Sequence, residues 1–229
     1  MMNFPLPLDQ GLFGRLRRDA GALWEGYVGH DFVRAVGRGT LPEAAFRHFL
    51  VQDYLFLIQF ARAHALAGFK ATQLVDIRAA AAAVSAIVDV EMPLHVSYCT
   101  RWGLSEEEMA DAPEAMETIA YTRFVLERGL AGDLLDLHVA LAPCLVGYGE
   151  SGERLLADST TRRDGNPYHE WIAAYTSEDY RRVVCDAVVR LDRLGEAYGA
   201  TARYRQLLAT FLSATRLETA FWDMGWRAG

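Results

Sequence analysis

The chain has 229 residues, of which 52% are hydrophobic and 23% charged, and this excludes the apolar-poor, highly charged composition that keeps a chain disordered. A formal charge of −7 argues against a nucleic-acid partner, because phosphate contacts draw on clustered Lys and Arg. The short basic pieces Arg15-Leu-Arg-Arg18 and Arg162-Arg163 read as solvated helix faces. The longest apolar run, Ala79 to Val88 between Arg78 and Asp89, stops short of the roughly 20 residues a membrane span needs. The amino terminus lacks a basic segment followed by an apolar stretch and a cleavage site, so no membrane partner and a cytoplasmic location are expected.

Helical periodicity runs along nearly the whole chain, and no run of alternating β-branched residues is bounded by turn signals. The sequence therefore predicts an all-α fold. A first helix starts after Asp9, which can cap it, and carries Leu12, Leu16, Leu23 and Trp24 up to the turn at 29 to 31. A short helix from Phe32 ends near Gly37 to Gly39. Thr40-Leu-Pro-Glu43 places a capping hydroxyl, a first-turn proline and a Glu at N3, which predicts a helix running to about Lys70. The alanine-rich stretch from Thr72 to Trp102 predicts another, kinked or broken at Pro93, which lacks a backbone donor and clashes with the preceding turn.

Ser105-Glu-Glu-Glu108 is a second capping box, opening a short helix before Pro113. Further helices are expected over about 114 to 130, 132 to 151, 167 to 174, 177 to 196 and 200 to 226, with a polar loop from Ser159 to Pro167. No Ser/Gly/Pro-rich linker and no repeat divides these nine or ten helices. One helical domain over residues 1 to 229 is expected, with oligomers of it.

Cys99, Cys144 and Cys185 are odd in number and widely spaced, which fits neither a disulfide framework nor paired zinc ligands. Cys144 stands out. Leu134, Leu137, Leu141, Cys144 and Tyr148 recur at spacings of three and four, so they share one helix face. Pro143 frees a carbonyl one turn earlier and bends the axis, and the Tyr148 hydroxyl, one turn beyond the thiol, can support a thiolate or a substrate. An inert core cysteine fits this pattern equally well.

A thiol nucleophile needs a partner that gives and takes protons. Asp53 shares a helix face with Phe56, Leu57 and Phe60, and Glu218 lies beside Phe221 and Trp222. A carboxylate on an aromatic stripe is costly unless paired or functional, so each is either a structural hydrogen-bonding acid or part of a site. Glu91 and His95 at i, i+4 could ligate a metal, but a carboxylate-bridged metal bundle needs a second such set, and none is present. His138 is rotated off the Cys144 direction and reads as a core histidine. Phosphate loops, nucleophile elbows and dinucleotide fingerprints are absent, so no cofactor and no metal are expected.

Taken in order, seven segments resemble the thiaminase II family, also called TenA, in its cysteine-containing class. They are His30-Asp-Phe-Val33 with Gly39-Thr-Leu41, Gln52-Asp-Tyr54 with Phe60-Ala-Arg62, Glu91 with His95, Tyr121-Thr122, Pro143-Cys-Leu-Val-Gly-Tyr148, Asn166-Pro-Tyr-His-Glu-Trp-Ile172 and Glu218-Thr-Ala-Phe-Trp222. The resemblance implies a haem-oxygenase-like helical bundle without haem, usually a homotetramer. It also implies an aminopyrimidine aminohydrolase that turns 4-amino-5-aminomethyl-2-methylpyrimidine into the hydroxymethyl pyrimidine and ammonia in thiamine salvage, with thiamine as a further substrate of many members.

Carried across, Cys144 is the nucleophile that adds to the pyrimidine ring, Glu218 the general acid and base, and Tyr148 a hydroxyl beside the sulfur. Asp53 holds the 4-amino edge of the ring, Tyr121 supplies a further hydroxyl, and Tyr168, Phe56 and Phe221 form stacking walls. Many members have tyrosine where this chain has Phe56, so one hydroxyl contact is missing. The competing readings are a metal-dependent oxidase on the same scaffold, using Glu91 and His95, and a non-catalytic module that keeps a pyrimidine pocket.

Overall fold

A computed structural model describes residues 6 to 229, and these are helical with no strand among them. The helices are α1 (Gly11–Ala20), α2 (Ala22–Val28), α3 (Asp31–Arg38), α4 (Glu43–Lys70), α5 (Leu74–Ala86), α6 (Met92–Arg101), α7 (Glu106–Ala110), α8 (Met116–Ala131), α9 (Leu134–Ala157), α10 (His169–Tyr175), α11 (Glu178–Ala197) and α12 (Tyr204–Arg227). A single π-helical turn, Ile87–Glu91, joins α5 to α6.

Several ends follow local chemistry. Ser105 and Glu108 form the expected reciprocal capping box at α7. The break expected at Pro93 appears as the π turn: proline has no N–H for the carbonyl four residues back, and the backbone widens by one residue just before it. His30 caps α3 by accepting the Phe32 amide, and Gly39 closes that helix in the left-handed region at φ 68°.

Two expected starts differ. Asp9 does not cap α1; its carboxylate receives Arg17, and the exposed first-turn amide of Leu12 is met by Asp192 of α11 at 2.6 Å. The first helix also divides at Gly21, which takes φ 50° and turns its N–H back to the carbonyls of Arg17 and Arg18. Thr40 does not cap α4. The amides of Thr40 and Leu41 both donate to the Ala35 carbonyl, so these residues finish α3, and α4 begins after Pro42 with no side-chain cap.

The chain divides into two compact units, one holding residues through Leu41 together with His138–Trp222, the other Pro42–Leu137 with Asp223–Gly229. In the first, Phe13, Trp24 and Phe211 form a ring cluster, with Trp24 stacked on Phe211 at 5.4 Å. Each such side chain contributes about 1.5–3 kcal/mol by burial. Gly147 is required here, since a Cβ would lie 2.2 Å from the Tyr27 ring, and that ring places its hydroxyl on the Pro143 carbonyl of α9 at 3.1 Å. In the second unit α4 is the central element, packed by α5, α6, α7 and α8.

The stretch Leu74–Arg101 carries exposed Leu74, Val75, Val88, Val90 and Leu94. By length and composition it could cross a membrane, where counting uninterrupted apolar residues predicts no span. Among the described residues it is the one stretch that qualifies.

Candidate active site

In the first unit, α9 runs unbroken through Pro143 and carries Cys144 and Tyr148 one turn apart. Cys144 is half-buried and Tyr148 is buried. The Tyr148 ring lies 5.0 Å from Trp222 and 5.0 Å from Tyr175, with Trp171 at 6.1 Å. A phenol wrapped by three rings is held in one orientation by packing. Glu218 and Phe221 are buried on α12, immediately before Trp222.

Two of the three thiols, Cys99 and Cys185, are held in the protonated form. Burial, with Asp53 adding to it, pushes Cys99 up to about 11, and burial together with Asp186 pushes Cys185 up. Both are therefore poor thiolate sources at neutral pH.

Tyr168 is buried just before α10, and its hydroxyl donates to the Leu41 carbonyl at 2.5 Å. Its neighbour Asn166 donates to the carbonyls of Val36 and Gly37 and accepts the Tyr168 amide. The Asn-Pro-Tyr segment is thus pinned to the end of α3. Tyr175, which sequence reasoning passed over, is the tyrosine in ring contact with Tyr148. Its signal was available, because Trp171 and Tyr175 are spaced i, i+4 on α10 and share a face.

In the second unit, Gln52, Asp53 and Tyr54 point to different tasks. Gln52 donates to the Pro113 carbonyl and accepts from the Ala115 amide and the Thr118 hydroxyl, which fixes the start of α8. Tyr54 donates to Glu106 on α7. Asp53, 4% exposed, meets His95 of α6 with Oδ2 3.3 Å from Nε2. Burial lowers His95 to about 4 despite a hydrogen bond to the Leu50 backbone, so the ring is neutral at physiological pH. Three residues on from Asp53, Phe56 lies 5.1 Å from the Tyr121 ring and stacks on Phe60 at 5.6 Å. An acid on the same helical face as an aromatic pair can hold a flat, polar-edged ring.

Glu91 is half-exposed in the π turn, and no group of three His, Cys, Asp or Glu side chains converges on a metal-sized space among the described residues. His95 meets a carboxyl and a backbone group, which is how a positioned histidine is held.

The sequence profile of the TENA/THI-4/PQQC family matches residues 17–228. A relative from Halalkalibacterium halodurans, named aminopyrimidine aminohydrolase, is 36% identical over 212 residues, covering 92% of this chain and 93% of that protein. A crystal structure from Silicibacter sp., described as a TenA family transcription regulator, superposes with a TM-score of 0.87 at 43% identity over 93% of this chain and 96% of that one. A domain from Shewanella denitrificans with a heme oxygenase-like fold superposes at TM-score 0.71 and 14% identity, over 93% of this chain and 91% of that one, and speaks to the fold alone. The chain belongs to the TENA/THI-4/PQQC family and has its haem-oxygenase-like, all-α fold.

Proposed function

We propose that the protein is an aminopyrimidine aminohydrolase of thiamine salvage, acting on 4-amino-5-aminomethyl-2-methylpyrimidine and, as a second substrate, on thiamine. The observation that carries this reading is Cys144, half-buried on α9 with the ring-packed Tyr148 one turn beyond it, in a chain alignable along 92% of its length with an enzyme of that name.

The residues divide the chemistry as follows. The Cys144 thiolate adds to a ring carbon of the pyrimidine, and the electron pair gained by the ring expels the amine from the exocyclic methylene. Glu218 gives that amine its proton, so ammonia departs. Water then adds to the methylene and returns a proton to Glu218, and expulsion of the thiolate restores the aromatic ring. Tyr148 and Tyr121 supply hydroxyls, Asp53 takes the 4-amino edge, and Phe56, Phe221 and Tyr168 give apolar walls. Phe56 offers stacking without a hydroxyl. The buried Tyr168 hydroxyl is committed to Leu41, which leaves its ring for such a role.

The whole chain works as one domain and assembles as a homo-oligomer, with a homotetramer as the family-based expectation. The exposed apolar side chains between Phe69 and Leu94 support a protein-covered face, since patches of this kind mark interaction sites. A reduced thiol nucleophile suits the cytoplasm, where disulfides are rare.

The test is ammonia release from the aminomethyl pyrimidine, run beside thiamine cleavage. Cys144→Ser and Glu218→Gln should each lower kcat by about 10³-fold or more with the helical signal intact. An active Cys144→Ser protein would remove the nucleophile from this account. Tight pyrimidine binding without turnover in the unaltered protein would favour a binding module, and stoichiometric iron with oxygen uptake would favour an oxidase.

A further inference from the structure

The thiol of Cys144 is carried by a turn of α9 that is weakened on one side, because Pro143 has no N–H to give the carbonyl one turn earlier. Two tyrosine hydroxyls from other helices grip that same turn. Tyr27 of α2 donates to the Pro143 carbonyl at 3.1 Å, and Tyr180 of α11 donates to the Leu145 carbonyl at 3.0 Å. The residues so held are the two that flank Cys144 in the chain. A helix carbonyl has a second lone pair beyond the one that meets its own i+4 amide, so these bonds add to the helix rather than compete with it.

Their directions matter. Successive residues step about 100° round a helix, which puts positions 143 and 145 about 200° apart. The two hydroxyls therefore approach α9 from opposite sides, and the thiol leaves it between them. One turn on, the pattern repeats: Gly147 and Gly149 follow the two carbonyls at i+4, and Tyr148 stands between the glycines. Side chains lean toward the helix N-terminus and cover the preceding turn, so glycine at 147 and 149 leaves both carbonyls uncovered. A Cβ at Gly147 would sit 2.2 Å from Tyr27 Cε1, where the ring now lies. At Gly149 it would meet Val184 of α11 at 2.8 Å and the Tyr180 ring at 3.5 Å, so this glycine lets α11 come close enough for its tyrosine to reach.

The same two tyrosines pack on the rings that surround Tyr148. Tyr27 stacks with Trp222 at 6.4 Å, and Trp222 lies 5.0 Å from Tyr148. Tyr180 meets Tyr175 edge-on at 4.9 Å, and Tyr175 lies 5.0 Å from Tyr148. Tyr27 is fully buried, and a buried hydroxyl takes an acceptor wherever it lies. Tyr180 is only half-buried, where water could serve it, yet it too closes on α9. We propose that Tyr27 and Tyr180 are positioning residues, a two-sided clamp that fixes the Cys144 turn and with it the direction of the nucleophile toward the pyrimidine. This role rests on the reading of Cys144 as the nucleophile, whereas the clamp itself does not.

Tyr27→Phe and Tyr180→Phe keep both rings and remove one hydroxyl each. Loss of a hydrogen bond moves a carbonyl carbon resonance upfield, so in carbon-13-labelled protein the Pro143 carbonyl should shift in the first variant and the Leu145 carbonyl in the second. Absence of either shift overturns the clamp. With the aminomethyl pyrimidine, each variant should lower kcat about tenfold and leave KM within about twofold, because the thiol is displaced while the groups that hold the ring are untouched.

The double variant separates this from ordinary destabilisation. The hydroxyls bond different carbonyls on opposite sides of α9, so their stability losses should add. Their losses in kcat should not. Once either side is released the turn moves, and the double variant should also fall about tenfold, where independent effects would give about 100-fold. Unchanged kcat in the single variants, a change in KM alone, or the additive loss in the double variant overturns the positioning role. If wild type releases no ammonia, the functional reading fails and the positioning role with it, while the carbonyl shifts still decide whether the clamp exists.

Discussion

Two carboxyls, Glu150 in the first unit and Asp53 in the second, are hidden from water to the same degree, at 3% and 4% exposed, and are furnished in different ways. Glu150 takes two hydrogen bonds from the Arg17 guanidinium, one from the Trp24 indole at 2.8 Å, and more from Arg154. Arg154 in turn grips Glu25 of α2. Burial alone would raise Glu150, and the bonds from Arg17 and Trp24 with the charge of Arg154 outweigh it, so the carboxyl stays below its usual range. Asp53 instead meets a neutral imidazole on an aromatic face. The first arrangement is a knot that ties α1, α2 and α9 together. The second sets an acid of α4 against a histidine of α6, with no guanidinium among the contacts described for it.

That contrast can be broken by exchanging the losses. Glu150→Ala removes the buried acceptor shared by Arg17, Trp24 and Arg154, leaves Arg17 with the exposed Asp9 and the more distant Glu25, and should cost about 3 kcal/mol of stability, read by denaturant unfolding, with activity per folded molecule unchanged. Asp53→Asn keeps the shape and should change stability by less than about 1 kcal/mol while lowering kcat/KM about 100-fold. Equal stability losses in the two variants would erase the distinction.

Acid sharpens it. The Glu150 carboxyl is lower in the folded protein than in the unfolded chain, so its stabilisation is fully present above the unfolded value of about 4.3 and is lost as the pH falls through the folded value. Unfolding followed from pH 6 to 3 should show a steeper acid decline in wild type than in Glu150→Gln. Parallel declines would mean that the knot does not govern the acid limb.

The two units also differ at their surfaces. Among the described residues, the exposed large apolar side chains lie in the second unit except for Val183 and Val189. Phe69 is 86% exposed and Leu94 62%. If the proposed homo-oligomer is built on this face, Leu94→Glu should raise its dissociation constant about tenfold or more, measured by light scattering across a dilution series. The same change at Val189 should leave assembly unaltered.

Sequence periodicity was a good guide wherever the determining partners are near in the chain. The Cys144–Tyr148 spacing on α9, the end of α4 at Lys70 and an interruption near Pro93 all depend on residues within a turn or two, and each was legible, although the form of the interruption, a π turn, was not. The cap on α1 was not, because Asp192 arrives from 180 residues away. The same limit hid the task of Gln52, whose partners begin 61 residues on, and the meeting of His95 with Asp53. It also hid the commitment of the Tyr168 hydroxyl to the Leu41 carbonyl, 127 residues away.

Thr40 and Ser105 give the smallest and sharpest contrast, since both carry the same capping signature and only one uses it. Ser105 accepts the Glu108 amide at 3.1 Å, and Glu108 returns to the Ser105 amide at 2.8 Å. Ser105→Ala removes that acceptor and should cost about 1 kcal/mol. Thr40 makes its mark through its backbone amide, which closes α3 on the Ala35 carbonyl at 3.0 Å, and alanine keeps that amide. Thr40→Ala should therefore stay within about 0.5 kcal/mol of wild type. A loss at Thr40 matching that at Ser105 would mean that the hydroxyl reaches the start of α4 after all, and that Pro42 does not set where the helix begins.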